Sequence, residues 1–188
     1  MTLRLPDPLV GGQALQRLGS GDRALYCALY GCADTMGKVG APMHAVEAAA
    51  AFDRVLRLLD RRPARCGYWL LPGGEGPHAP GGILALLGDD AFASAEVGVL
   101  LAPAAQRSGV ATAAITALAD AVFAATALRR LWTRHAPGHE AAAALMRRTG
   151  FTAMRSAPGE PCRWEFGRDD WLARGPVSFA AWPSCCST

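Results

Sequence analysis

The chain has 188 residues, 51% of them hydrophobic and 19% charged, which suits one domain with a full core and excludes a disordered chain. Its net charge of +3, carried by scattered Lys and Arg, excludes nucleic acid or an anionic membrane as the main partner and leaves a small anionic ligand compatible. The opening "MTLRLPDPLVGG" has no apolar run behind its single arginine, so neither a secretory signal nor a transit peptide is read and a cytoplasmic location is expected.

Met1 to Gly12 carries two prolines and a glycine pair and is expected as an irregular extension over residues 1–12. "QALQRL", Gln13 to Leu18, alternates between two faces and predicts the first strand. "GSGD" offers a helix start at Ser20 or Asp22 for "RALYCALYG", with Leu25 and Leu29 one turn apart and Gly31 at its end. From Cys32 to Pro42 glycines recur without periodicity. "HAVEAAAAFDRVLRLLDRRP" restores it: Val46, Phe52, Val55, Leu56 and Leu59 are expected on one apolar face, and Pro63 closes the segment. The apolar runs "RCGYWLL", "GGILALLG" and "SAEVGVLL" follow, with the turn-rich "PGGEGPHAP" between the first two, so an antiparallel meander is predicted. Beyond Pro103 the order becomes helix (Ser108 to about Ala125), strand (Arg129 to His135), helix (Glu140 to Thr149) and two strands, "FTAMRS" and "CRWEFG". Such an order predicts a mixed α/β or α+β fold with helices packed on one sheet, as a single domain over 13–174 followed by a loosely held tail over 175–188.

Gly109 to Leu128 is nearly long enough to cross a bilayer, but Asp120 interrupts it and alanine and threonine dominate it, so it reads as a buried helix. No membrane partner is expected. The six cysteines, Cys27, Cys32, Cys66, Cys162, Cys185 and Cys186, lack CxxC or Cys/His ligand spacing, so unbridged thiols and no metal site are expected.

The chemistry concentrates at "PAAQRSGVATAA", Pro103 to Ala114, where a glycine and small residues precede an apolar helix. Ala111, Ile115, Leu118, Val122 and Ala125 advance by steps of four and three, one stripe of a helix. Its first turn therefore leaves the amides of about Ser108 to Thr112 unpaired, with the positive end of the helix dipole behind them. Gly109 serves either helix packing or close approach of an anion to the backbone.

The same residues carry a resemblance. "Q-R-S-G-V-A", Gln106 to Ala111, matches the Q/R-x-x-G-x-G/A pyrophosphate loop of the GNAT superfamily of N-acetyltransferases, with Pro103 three residues ahead of it. "EVGVLLAP", "HEAAAALMRRTGF" and "ALQRLGSGDRALYCALY" are similar, in the right order and spacing, to segments of its RimJ/RimL-like branch. The resemblance runs from about Gln13 to Trp171. It implies a GNAT fold: a mostly antiparallel central sheet, flanked by helices, whose fourth and fifth strands splay apart to admit the pantetheine arm of acetyl-CoA. Acetyl transfer from acetyl-CoA to an amine is then the implied activity. The backbone of Val99, Leu100 and Leu101 is implied to bond pantetheine, and Gln106, Arg107, Ser108, Gly109, Val110, Ala111 and Thr112 to hold the pyrophosphate. His139 stands where the family places a CoA-contacting Asn.

On its alternating strand Glu96 shares a face with Gly98 and Leu100, a carboxylate among apolar side chains. Either it pairs with an arginine at the strand's beginning, or, as the resemblance implies, it is the general base that deprotonates the acceptor ammonium. The hydroxyl or phenol that relatives use as general acid is replaced by Ala142 and Met146, which leaves His135 and His139 as the substitutes nearest in sequence. Tyr30, Met36 and Trp69, with Tyr26 and the loop Ser156 to Pro161, are implied to line the acceptor side. The partners expected are acetyl-CoA and an amine, a protein N-terminus or a small molecule, acted on by a monomer or homodimer. The alternatives are a self-protection enzyme that modifies an amine antibiotic and a non-catalytic acyl-CoA-binding protein.

Overall fold

Proline and glycine set most element boundaries in the computed structural model, which describes residues 5–73 and 79–175. All but the first residue of the predicted tail, with Cys185 and Cys186, lies outside the described residues. In chain order the elements are β1 (Leu9–Val10), β2 (Gln13–Ala14), α1 (Arg23–Gly31), α2 (Ala33–Met36), α3 (Ala45–Leu59), β3 (Cys66–Pro72), β4 (Pro80–Gly88) and β5 (Ser94–Leu101). Then come α4 (Val110–Ala125), β6 (Arg130–His135), α5 (Glu140–Arg148), β7 (Thr152–Ala153), β8 (Cys162–Gly167) and α6 (Arg168–Arg174). One sheet runs β3-β4-β5-β6-β8-β7. Its β5–β6 pair is parallel and its other pairs are antiparallel, so the expected meander is present and the sheet is mixed. Among the described residues no helix is long and apolar enough to cross a membrane.

Alternation along the strands sorts two cores. On one face Tyr68, Leu70, Ile83 and Leu100 pack with Leu29, Phe52 and Val55 of α1 and α3. On the other, Leu71, Leu84, Leu86 and Val97 meet Leu118, Val122 and Phe123 of α4, together with Ala143 and Met146 of α5. Cys27, Cys32, Cys66 and Cys162 are unbridged.

Several expectations are corrected. Gln13 to Leu18 is not one strand: Gln13–Ala14 pairs with Leu9–Val10 in a hairpin, and the rest is tied to β3 by Leu18 N–H to Tyr68 O and Leu70 N–H to Gln16 O. The extension is not wholly irregular. Besides that hairpin, Leu5 is 1% exposed in the core, and Asp7 accepts the Trp69 indole N–H at 2.8 Å and pairs with Arg17 at 2.6 Å. Val46 is 82% exposed, because six residues before Phe52 is the wrong side of a 3.6-residue turn; Ala48 and Ala51 take its place on the buried face. Helix α4 begins at Val110 rather than Ser108, and its buried face runs through Val110, Ala114, Leu118 and Val122, leaving Ala125 exposed. "FTAMRS" keeps only Thr152–Ala153 as strand.

Helix α6 holds down the end of α4. Arg168 donates to the carbonyl oxygens of Leu128 (2.8 Å), Phe123 (2.6 Å) and Thr126, placing a cation at the negative end of the helix dipole. Trp171 donates its indole N–H to Asp120 at 2.7 Å. Arg168→Ala is expected to lower stability by about 2–3 kcal/mol, since charge-assisted bonds are lost and half-buried carbonyls are left unpaired. The midpoint of urea unfolding measures it.

Candidate active site

The site begins where two strands part. β5 and β6 pair for three rungs only, Ser94↔Arg130, Ala95↔Leu131 and Glu96↔Trp132, whereas β5 stays with β4 as far as Gly82↔Leu101. From Val97 onward one edge of β5 has no neighbouring strand. Peptide groups of successive residues point to opposite edges. The Ala102 N–H donates to Gly81 O at 2.8 Å, and the Leu100 carbonyl lies so close to Gly82 that a side chain there would meet it at 2.5 Å. Leu100 thus spends its peptide groups on β4, and those of Val99 and Leu101 face the gap. Of these, the Leu101 carbonyl accepts from Gln106 Nε2 at 3.3 Å.

The chain then makes a 3-10 turn over Pro103–Ala105 and enters α4 through two left-handed residues, Arg107 (φ 62°) and Gly109 (φ 83°). Ser108 fixes this loop: its hydroxyl donates to Ala105 O at 2.7 Å and accepts the Val110 N–H at 3.4 Å. The Ala113 N–H already bonds Gly109 O. The amides of Ala111 and Thr112 remain as orphan donors at the positive end of the helix.

Gap and helix end open into one cleft of about 980 Å³. Val99–Leu101, Gln106, Arg107, Gly109 and Ala111–Ala113 form one wall, and His139, Ala142, Leu145 and Arg148 line the α5 side. Leu9–Gly11 and the stretch carrying Asp34, Thr35, Lys38 and Val39 complete it. Among the described residues Lys38, Arg107 and Arg148 face it against one carboxylate, Asp34. The balance suits an anionic ligand.

A family model described as an acetyltransferase (GNAT) domain matches residues 14–152. The chain belongs to the GNAT acetyltransferase family. No curated protein matches the sequence. Solved structures with the same fold include spermidine N-acetyltransferase from Vibrio cholerae, in complex with CoA and spermine, at 17% identity and TM-score 0.69, covering 85% of this chain and 97% of that one. An acetyltransferase from Agrobacterium tumefaciens is 22% identical with TM-score 0.70, covering 88% and 96%. The ribosomal-protein alpha-N-acetyltransferase RimL, in complex with CoA, is 17% identical with TM-score 0.66, covering 83% and 94%. At these identities the likeness is one of fold. The parting of β5 and β6 is the splay expected of this GNAT domain's fourth and fifth strands.

Within the GNAT frame the predicted residues separate. Gln106, Arg107, Gly109, Ala111 and Thr112 line the cleft, whereas Val110 is 2% exposed and points into the core. Glu96 is not alone among apolar side chains: Arg134 Nε lies 3.4 Å from its Oε1, and its side chain is 26% exposed. It stands at the last paired rung, where the gap opens. His135 does not suit an acid's role. Its Nε2 accepts the Trp164 indole N–H at 2.9 Å and its Nδ1 lies 2.9 Å from Ala136 O, so both ring nitrogens are committed in the Nδ1–H tautomer. Trp69 (0% exposed) and Met36 (4%) are core residues that cannot touch a substrate, and half-buried Tyr30 stacks on Tyr26 at 4.3 Å. Met146 is also core, while Ala142 faces the cleft. Among the described residues no cluster of three or more His, Cys, Asp or Glu is placed to hold a metal ion.

His139 caps α5, its Nδ1 accepting the Ala142 N–H at 3.4 Å, which leaves Nε2–H as a donor. Burial, then the neighbouring His135 and Lys38, lower its pKa below the ordinary value of 6.5. The unfolded chain binds this proton first, so stability falls as pH drops from 6.5 through the lowered folded value. His139→Asn keeps a capping oxygen without titrating and is expected to flatten this part of the stability–pH curve, read by urea unfolding between pH 5 and 7.

Asp34, Lys38 and Arg148 escaped sequence reasoning. Arg148 sits two helical turns beyond Glu140, in register with Ala141 and Ala144 on the cleft side of α5, a spacing that was legible. The approach of Asp34 and Lys38 to β5 had no local signal.

Proposed function

We propose that this GNAT domain, residues 13–174, transfers the acetyl group of acetyl-CoA directly to a primary amine, in the manner of the RimJ/RimL-like branch. One observation carries the reading: the strand edge of Val99 and Leu101, which has no neighbouring strand, and the orphan amides of Ala111 and Thr112 open into the same cleft, ringed by Lys38, Arg107 and Arg148. An extended amide-bearing arm ending in phosphates fits that donor set: β5 pairs with the arm and the helix end takes the phosphates. Acetyl-CoA supplies the activated thioester. Glu96, which keeps Arg134 beside one of its oxygens, accepts the proton of the acceptor ammonium, directly or through one water, at the point where the strands part. Val99 and Leu101 orient the thioester end along the gap, and His139 Nε2–H offers a hydrogen bond on the opposite wall. Ala142 brings no hydroxyl, and a thiolate is a tolerable leaving group near neutral pH, so the reaction proceeds without a strong acid.

The test is a screen of N-terminal peptides and amine metabolites with acetyl-CoA, read by thiol release and product mass. Thiol release with a mass gain of one acetyl group on the amine supports transfer. Tight acetyl-CoA binding with no release on any amine instead supports the non-catalytic reading that Ala142 and Met146 raise.

A further inference from the structure

The sheet face that carries Glu96 continues across β6 and β8 into a second cavity of about 230 Å³. Directly opposed residues share a face, and the register runs Glu96↔Trp132↔Glu165. Three arginines, Arg134, Arg155 and Arg163, line this cavity with Trp132 against one acid, Glu160. The nearby carboxylates are occupied. Glu160 accepts the Ala157 N–H of its own loop at 3.3 Å, Glu165 takes Arg163 at 2.9 Å and Arg130 at 3.2 Å, and Glu96 takes Arg134 at 3.4 Å. Arg155 is exposed and has no ion-pair partner among the described residues. The Arg163 guanidinium lies 4.3 Å from the centroid of Trp132 and is anchored through Nε to Glu165. Stacked and tethered in this way, it presents its terminal nitrogens in a fixed fork, the geometry that reads a pair of anionic oxygens.

We infer that the acceptor is an amine that also carries an anionic oxygen group, a carboxylate or a phosphate, which Arg155 and Arg163 recognise while the amine lies at Glu96. The inference rests on the placing of the acceptor at Glu96 in the function proposed above. A polycation meets like charges along the same wall and is rejected by it.

Matched amine pairs test this by thiol release: phenylalanine against phenethylamine, phosphoethanolamine against ethanolamine, with spermidine as the polycation. The anionic member of at least one pair is expected to be favoured tenfold or more in kcat/KM, and which pair shows it separates carboxylate from phosphate. Arg155→Glu is expected to abolish that preference and raise the rate with spermidine, with acetyl-CoA affinity unchanged, a reversal that a merely structural arginine does not produce. Equal rates within both pairs, or a preference untouched by Arg155→Glu, overturn the inference and leave the transferase reading standing. No thiol release with any amine overturns both.

Discussion

Gly109→Glu is expected to weaken acetyl-CoA binding tenfold or more, about 1.4 kcal/mol, in a protein that still folds. Gly109 is the N-cap of α4 at φ 83°, two residues ahead of the first orphan amide, that of Ala111. A glutamate there adds negative charge at the positive end of the helix, where phosphates are proposed to lie. It also takes an L side chain into the left-handed region, at a cost of about 1–2 kcal/mol. Gly109→Ala separates the two effects: it bears the same strain without the charge, so its stability should fall alike while its affinity falls less. Calorimetric titration with acetyl-CoA and unfolding curves on both variants give the four numbers needed. Unchanged affinity in folded Gly109→Glu places the phosphates elsewhere.

Much of this architecture was legible because local signals and tertiary structure agreed. The meander β3–β4–β5 follows from apolar runs cut by glycine and proline, and its boundaries moved by no more than one residue. The open amides at the start of α4 followed from the glycine ahead of an apolar helix, but the helix's exact start did not, since a left-handed cap at Gly109 is a property of the backbone. Helix α6 was missed despite a readable signature: Gly167 begins a capping turn whose N–H bonds Asp170 Oδ2 at 3.2 Å.

What stayed hidden depends on neighbours distant in sequence. From its own strand Glu96 has only apolar companions, and the arginine that meets it lies on β6, 38 positions further on, brought there by parallel pairing. The resemblance puts Trp69 on the acceptor side, yet Asp7, 62 residues away, satisfies its indole N–H and lets it be buried whole. His135 lost its proposed role in the same way, to the Trp164 indole across the β6–β8 pair. Residue type was legible; partners were not.

Glu96→Gln is expected to lower turnover by roughly two to four orders of magnitude while leaving acetyl-CoA affinity nearly intact, since loss of a general base acts on the transition state. The amide keeps the shape of the side chain and a carbonyl oxygen for Arg134, so the β5–β6 rung should survive; only the capacity to take the proton goes. Asp34 provides the counter-test, being the one carboxylate among the described residues that faces the large cleft: if Asp34→Asn carries the loss and Glu96→Gln does not, the base is Asp34. Ala142→Ser, which restores a hydroxyl on the cleft wall, should leave the rate unchanged or raise it. The pH profile then decides whether any histidine acts as the acid. Burial, then His135 and Lys38, shift His139 toward its neutral form, which gives a hydrogen bond rather than a proton, so the wild-type rate should climb with pH until the acceptor amine is neutral. An alkaline limb near or below neutrality that vanishes in His139→Asn would instead assign the departing sulfur's proton to His139. His135→Asn should leave the profile's shape alone, because both nitrogens of that ring are already engaged by Trp164 and Ala136.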